Sequence, residues 1–216
     1  MKAELLAVMG DDLMVVNAAR VSMAKHHDVF DDESDAKLIR YLARNGHWTP
    51  FAQPQIQFRI EAPIFVARQW FRHNVGTVRN EVSRRYVDDD PIFYIPNEWR
   101  SRPEGSIKQG SGDPLRGENR RKADVAFRLA HTQARESYWE LLTLGVAPEQ
   151  ARMVLPQTML TTWIETGSLA YWSRLCNLRL DSHAQKETGE LAMQVASHMA
   201  KAFPVSWAAL TETAHD

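Results

Sequence analysis

Apolar residues alternate strictly in Gln55-Ile-Gln-Phe-Arg-Ile-Glu61, with Ile56, Phe58 and Ile60 on one face. Alternation of period two marks a half-buried strand, and this is the clearest case in the chain. Residues 3–8 and the β-prone Thr161-Thr-Trp-Ile-Glu-Thr166 predict further strands. Elsewhere the spacing is helical. Asp11 or Asp12 can cap a short helix running to about Ser22. After the acidic turn Asp28–Asp35, Leu38, Tyr41 and Leu42 form an i, i+3, i+4 stripe over Ala36–Asn45, which Asn45-Gly46 closes as a left-handed cap. Pro63 suits the first turn of a helix over Ile64–His73. A long amphipathic helix carries Ala126, Leu129/Ala130, Gln133/Ala134, Tyr138 and Leu141/Leu142 on one side and ends at Gly145. Pro148 restarts a short helix to Leu155, and another covers Leu169–Leu178. Ser182-His-Ala-Gln185 has the form of a capping box before a last helix ending near Pro204. Residues 75–86 are polar and basic with a break at Gly76, and residues 88–117, rich in Pro, Gly and charge, read as a mobile excursion. Helices outnumber strands and are not interleaved with them as regular βαβ units. The pattern therefore predicts an α+β chain of one domain over 1–216.

Composition narrows the class. With 44% hydrophobic and 25% charged residues in 216, the chain matches a globular domain with a sizeable core. No stretch approaches the roughly 20 apolar residues of a membrane span, and Met1-Lys-Ala-Glu4 has no signal-peptide pattern. One cysteine, Cys176, leaves no internal disulfide and argues against a Cys-based zinc site, so a reducing cytoplasm is expected. The eight histidines are scattered, and no metal is expected. A net charge of −1 argues against a nucleic-acid coat. Charge is uneven, however: from Arg59 to Tyr86 six arginines face only Glu61 and Glu81, a local excess of four positive charges.

Chemistry concentrates in that segment. On a helix, Gln69, Arg72 and His73 stand at i, i+3 and i+4 and project from one side. Arginine's planar fork matches phosphate bidentately, and Arg84-Arg85 can add a second clamp. Asn80, Glu81 and Ser83 supply donors and acceptors suited to sugar hydroxyls and base edges. The same residues also fit a solvated basic helix face with a hydroxyl-capped turn.

The segment Arg72-His-Asn-Val-Gly-Thr-Val-Arg-Asn-Glu-Val-Ser-Arg-Arg-Tyr86 resembles the signature of the flavin-dependent thymidylate synthases, R-H-R-x-x-S-x-N-E-x-S-x-R-Y. Further blocks are similar to the family in the same order: Ala19-Arg-Val-Ser22, Gly46-His-Trp-Thr-Pro-Phe51, residues 62–71, Phe93-Tyr-Ile-Pro96, Ala151-Arg-Met-Val-Leu-Pro156 and Asn177-Leu-Arg-Leu-Asp-Ser-His-Ala-Gln185. The likeness runs from about residue 17 to 207. It departs at Asn74, where the signature has arginine, and in one extra residue between Gly76 and Asn80. Ser168 and Ala170 also stand where the family often has asparagine and arginine against the flavin.

The resemblance implies reductive methylation of dUMP to dTMP on bound FAD, with 5,10-methylenetetrahydrofolate and NADPH as co-substrates. It further implies a homotetramer with its sites at subunit interfaces. By matching, Gln69, Arg72, Glu81, Ser83, Arg84, Arg85, Arg152 and Arg179 would bind dUMP. Thr49, Arg72, His73, Asn74, Glu81, Ser168 and Arg174 would approach FAD. Arg179 matches the arginine at the uracil edge, where a guanidinium polarises the ring toward nucleophilic C5. Cys176, on the apolar side of its helix, lacks the surroundings of a catalytic thiolate. No Gly-rich dinucleotide fingerprint or P-loop occurs, and the family is not known for a Rossmann fold. Two rivals stay open: a same-fold dUMP hydroxymethylase, and a nucleotide- or nucleic-acid-binding protein without catalysis.

Overall fold

The computed structural model describes residues 1–103 and 110–212. Four strands, β1 (Lys2–Met9), β2 (Gln55–Pro63), β3 (Thr77–Glu81) and β4 (Leu160–Ser168), form one sheet in the order β1-β2-β4-β3. Every neighbouring pair is antiparallel, so β2 and β3 run the same way on either side of β4. Eight helices accompany them among the described residues: α1 (Asp12–Arg20), α2 (Ser34–Arg44), α3 (Ile64–Trp70), α4 (Gly117–Thr143), α5 (Pro148–Ala151), α6 (Leu169–Arg179), α7 (Lys186–Ala202) and α8 (Pro204–Glu212). The expected α+β architecture is the one observed. None of these helices is long and apolar enough to cross a membrane.

The alternation in β2 has the consequence its period requires. Ile56, Phe58 and Ile60 are fully buried in the core, together with Trp163, Trp172 and Val195. On β4 the same inward face carries Thr161, Trp163 and Glu165, so a carboxylate stands in an otherwise apolar row. The register sets Phe58 opposite Glu165 and Glu165 opposite Arg79. That pairing explains β3, which the polar sequence Thr-Val-Arg-Asn-Glu does not predict. Its inward Thr77 and Arg79 both donate to Glu165 of β4, while a short, charged edge strand is otherwise tolerated.

Several helix expectations need correction. In α2 the buried face is Ala36, Ile39 and Leu42, whereas Tyr41 is exposed. Within α4 only His131 and Tyr138 are buried, and Leu129 stays exposed because nothing among the described residues covers that face. Ser182 does not cap α7, whose N-cap is Gln185 without a side-chain cap bond; the Asp181 carboxylate instead takes the His183 N–H. Pro204 does not follow the last helix but opens α8. Asp12, at the start of α1, accepts from the backbone of Val205 and Ser206, a cap supplied from the other end of the chain.

The expected excursion at 88–117 includes residues 104–109, which lie outside the described residues. Around them, Phe93 bridges Met159, Arg100 bridges Pro114, and Trp99 donates to Asp124 at 2.7 Å.

Candidate active site

Helix α3 follows β2 directly, with Pro63 extended as its N-cap, and packs on β2, β4 and α7. It ends at Trp70, three residues before the expected His73. The next strand draws the chain out of the helix: the His73 carbonyl accepts from the Arg79 guanidinium rather than continuing the helical ladder, and Gly76 turns left-handed at φ 85° into β3. A Cβ at Gly76 would also come within 3.2 Å of the Ser168 hydroxyl.

This turn separates two cavities. The larger, about 1230 Å³, is lined by Gln69, Arg72, Arg100, Asn177, Arg179 and the 181–186 connection. Arg179, the last residue of α6, donates through Nε to His73 Nε2 at 2.9 Å and through Nη2 to the Gln69 carbonyl at 3.3 Å. These bonds fix the plane of the guanidinium. His73 must then be neutral, with its proton on Nδ1. Burial, followed by Arg179, Arg174, Arg79 and Arg72, holds its pKa down to about 4. The Gln69 side chain is held at the start of α7 by Gln185 and Thr188. Gln185, Asn177 and Arg100 join the cavity without having been expected. Arg100 arrives from the irregular 88–117 stretch and is anchored by Glu187 at 2.8 and 3.0 Å. No local pattern marks it, because its partner lies 87 residues away.

The smaller cavity, about 360 Å³, opens between Trp48, Gly76, Thr77, Ser168, Tyr171 and Arg174. Arg174 donates to the Val75 carbonyl at 2.7 Å, and the Ser168 N–H donates to the Gly76 carbonyl at 3.0 Å. Ser168 caps α6 through its hydroxyl at 3.2 Å from the Tyr171 N–H, so its wall position has a structural duty too. Thr49 and Asn74 are exposed and adjoin this rim in sequence, next to Trp48 and Val75 respectively.

The remaining residues form a third group past the far end of β3, which at about 3.3 Å per residue lies roughly 13 Å beyond Thr77. Glu81 accepts from Thr161 at 2.6 Å. Ser83 stabilises the following turn, its hydroxyl accepting from the Arg85 N–H at 3.3 Å. Arg84 lies over the Tyr138 ring at 5.8 Å, and Arg85 pairs with Glu149 at 3.3 Å. Arg152 donates to the Glu149 carbonyl at 3.2 Å. One chain therefore does not bring Ser83, Arg84, Arg85 and Arg152 together with Gln69, Arg72 and Arg179.

With this geometry in place, comparison with known proteins becomes informative. Residues 4–205 match the sequence profile of the family described as thymidylate synthase complementing protein. The chain belongs to that family. Its relatives include the flavin-dependent thymidylate synthases of Thermosipho africanus, 37% identical over 98% of this chain and 91% of that one, and of Thermus thermophilus, 39% identical over 94% and 73%. Among solved structures, the UMP/dUMP methylase PolB from Streptomyces cacaoi bound with 5-Br dUMP superposes with a TM-score of 0.86 at 31% identity, covering 98% of this chain and 94% of that one.

Membership sharpens the reading of Cys176. The thiol is fully buried, its sulfur meets the Ala192 carbonyl at 3.6 Å, and burial pushes its pKa far up. A thiolate nucleophile has no place here. Among the described residues, no three His, Cys, Asp or Glu side chains converge as metal ligands would.

Proposed function

We propose that this member of the family methylates dUMP to dTMP reductively, on FAD, taking the carbon from 5,10-methylenetetrahydrofolate and the electrons from NADPH, in the cytoplasm. The observation that carries the reading is Arg179: a guanidinium oriented by His73 and Gln69 at the wall of a cavity that also holds Gln69 and Arg72. Directed at the edge of a uracil ring, it stabilises negative charge developing along N3 and O4 and so raises the nucleophilicity of C5. Neutral His73 accepts a hydrogen bond from Arg179 rather than repelling it, which keeps the cation in place.

The cavity at Gly76 suits a flat ring system. Glycine leaves backbone exposed where a Cβ would crowd Ser168, Trp48 offers an aromatic face, and Arg174 a cation. Thr49, Arg72, His73, Asn74, Ser168 and Arg174 are the residues we assign to FAD at this cavity, with Glu81, which lies past the far end of β3, reaching a flavin bound by a neighbouring copy. When bound, the flavin supplies the redox chemistry that no side chain of this protein can. His73 links the two cavities, bonded to Arg179 on one side and followed by the Gly76 turn on the other, so residues 71–76 would set the nucleotide against the flavin.

Ser83, Arg84, Arg85 and Arg152 we assign to the dUMP phosphate of a neighbouring copy within a homotetramer. Their distance from Arg179 in one chain supports this, as do the exposed Met153 beside Arg152 and the exposed Leu129 and Leu144 of helix α4 and its C-cap, the helix against which that group packs. A second reading, that UMP is methylated as well, is favoured by the neighbour PolB, named for both substrates and also solved with 5-Br UMP.

The test is direct. Purified protein should show oxidised-flavin absorbance, and mass spectrometry should find a methyl group on dUMP only when folate and NADPH are both present. Running UMP in parallel settles the sugar. Methylation that survives flavin removal, or a hydroxymethyl product, would overturn the proposal.

A further inference from the structure

Among the described residues, the most densely bonded carboxylate is not one of those assigned to a ligand. Glu165 is fully buried in β4 and accepts five hydrogen bonds: Trp70 Nε1 at 2.9 Å, Trp163 Nε1 at 2.8 Å, Thr77 Oγ1 at 3.0 Å, Arg79 Nε at 2.8 Å and the Tyr171 hydroxyl at 2.5 Å. Both carboxylate oxygens are saturated. Arg79, its cross-strand partner, occupies a position that the family signature leaves open. Its guanidinium lies near the rings of Phe71 at 5.1 Å and Tyr171 at 5.8 Å, and it donates to the Tyr171 oxygen at 2.9 Å. Tyr171 can reach both because its ring lies against Gly167, where a Cβ would meet the ring at 2.4 Å. Burial and the Glu165 charge push the Tyr171 hydroxyl up, which keeps it a donor to Glu165.

Arg79 also donates to the backbone carbonyl of His73. His73 in turn accepts from Arg179. We propose that Arg79 is a positioning residue for Arg179: Glu165 and Tyr171 lock its guanidinium, and the locked guanidinium holds the His73 backbone so that the imidazole aims Arg179 into the nucleotide cavity. The inference rests on the function proposed for that cavity.

Two physical arguments favour this over a mere ion pair. Replacing a buried ion pair by apolar residues of the same shape is often neutral or stabilising, so net stability does not account for this one. The donors of this cation reach different elements, joining β3, β4, α6 and the turn after α3. The departures at the signature meet at the same place. Asn74 lacks the guanidinium that the signature has in this turn, and the longer stretch between Gly76 and Asn80 carries Arg79, which reaches back to the turn from the strand.

The test is a double-mutant cycle on the flavin-loaded protein, with dUMP as the probe. Arg79→Lys keeps the charge but cannot reach three acceptors in fixed directions. Turnover should fall on the order of tenfold or more, as misplacement of a reacting or stabilising group by about 1 Å does, and calorimetry should show dUMP binding weakened. In an Arg179→Ala background the same change should weaken binding no further, because the residue it acts through is gone. Glu165→Gln, which keeps the shape but removes the charge orienting Arg79, should behave alike. Independent, additive losses in the two backgrounds overturn the proposal, as does wild-type turnover in Arg79→Lys. Failure of both variants to fold would assign the network to the fold alone and also overturn it. Wild-type protein that binds dUMP without methylating it would refute the proposed function while leaving the binding cycle to judge Arg79. Wild-type protein that does not bind dUMP refutes both.

Discussion

Arg179 donates its Nε–H to His73 Nε2 across 2.9 Å, so the histidine of the Arg-His pair serves as an acceptor. Burial and the nearby Arg72 lower the pKa of Arg179, and an acceptor on one side leaves the outer edge of the guanidinium for a ligand. The arrangement sets what variants at either position should do.

Arg179→Ala should reduce methylation by on the order of a hundredfold to a thousandfold, the loss typical of one preorganised donor to developing charge. Folding and flavin content should change little. Lysine should rescue poorly, since a point charge cannot reproduce a planar two-donor contact. Measuring NADPH oxidation and nucleotide methylation separately tests this: the first should continue while the second collapses.

The His73 ring has a pKa of about 4 in the folded protein against an ordinary value of about 6.5 when unfolded. A lowered folded pKa means that the neutral ring contributes stability fully above about 6.5, and that this stability is lost as pH falls toward about 4. Protonation also removes the acceptor for Arg179, so dUMP affinity should drop as pH falls to about 4 and below. Calorimetric titrations of wild type and His73→Gln across that range provide the check. Only the wild type should show the histidine-dependent component; parallel curves would assign the pH dependence to other groups, the dUMP phosphate among them.

Replacing both Arg84 and Arg85 by alanine should weaken dUMP binding by about 1.5–3 kcal/mol for each charge-assisted hydrogen bond removed, with flavin occupancy unchanged. Mixing this variant with Arg179→Ala, under conditions that exchange subunits, should restore activity, because a mixed assembly contains some sites with both halves intact. Two inactive variants that stay inactive when mixed and shown to co-assemble would place both groups in one chain's site.

Gly76→Ala should destabilise the protein by roughly 1–2 kcal/mol from its positive φ alone, with further destabilisation where the methyl meets Ser168. Absorbance should report reduced flavin per chain, and thermal unfolding a lower Tm. Full flavin occupancy in a destabilised variant would show that the Gly76 cavity is not the flavin's.

Much of the fold was legible where the determinant is local. The period of β2, the Asp11 cap at 2.9 Å from the Met14 N–H and the left-handed Gly46 are all decided within a few residues. The missed elements are those whose determinants are distant. Strand β3 depends on Glu165, 86 residues beyond Arg79, and α8 on an Asp12 cap 193 residues before Val205. The early end of α3 belongs with them, because the bond that draws the His73 carbonyl out of the ladder comes from the next strand.

The site divides along the same line. By itself the sequence determined the family, through ordered blocks of residue types, and the presence of arginines enough to bind a phosphorylated nucleotide, because residue identity and spacing are properties of the chain alone. Which arginines share a cavity was decided only in the tertiary structure. Arg72 and Arg85 are 13 positions apart, yet they flank opposite ends of β3, while Arg179, far along the chain, is drawn to His73. The physical reason is that hydrogen bonds form only at about 3 Å, and the separation in space that matters is fixed by sheet register and helix packing between segments that no local pattern relates.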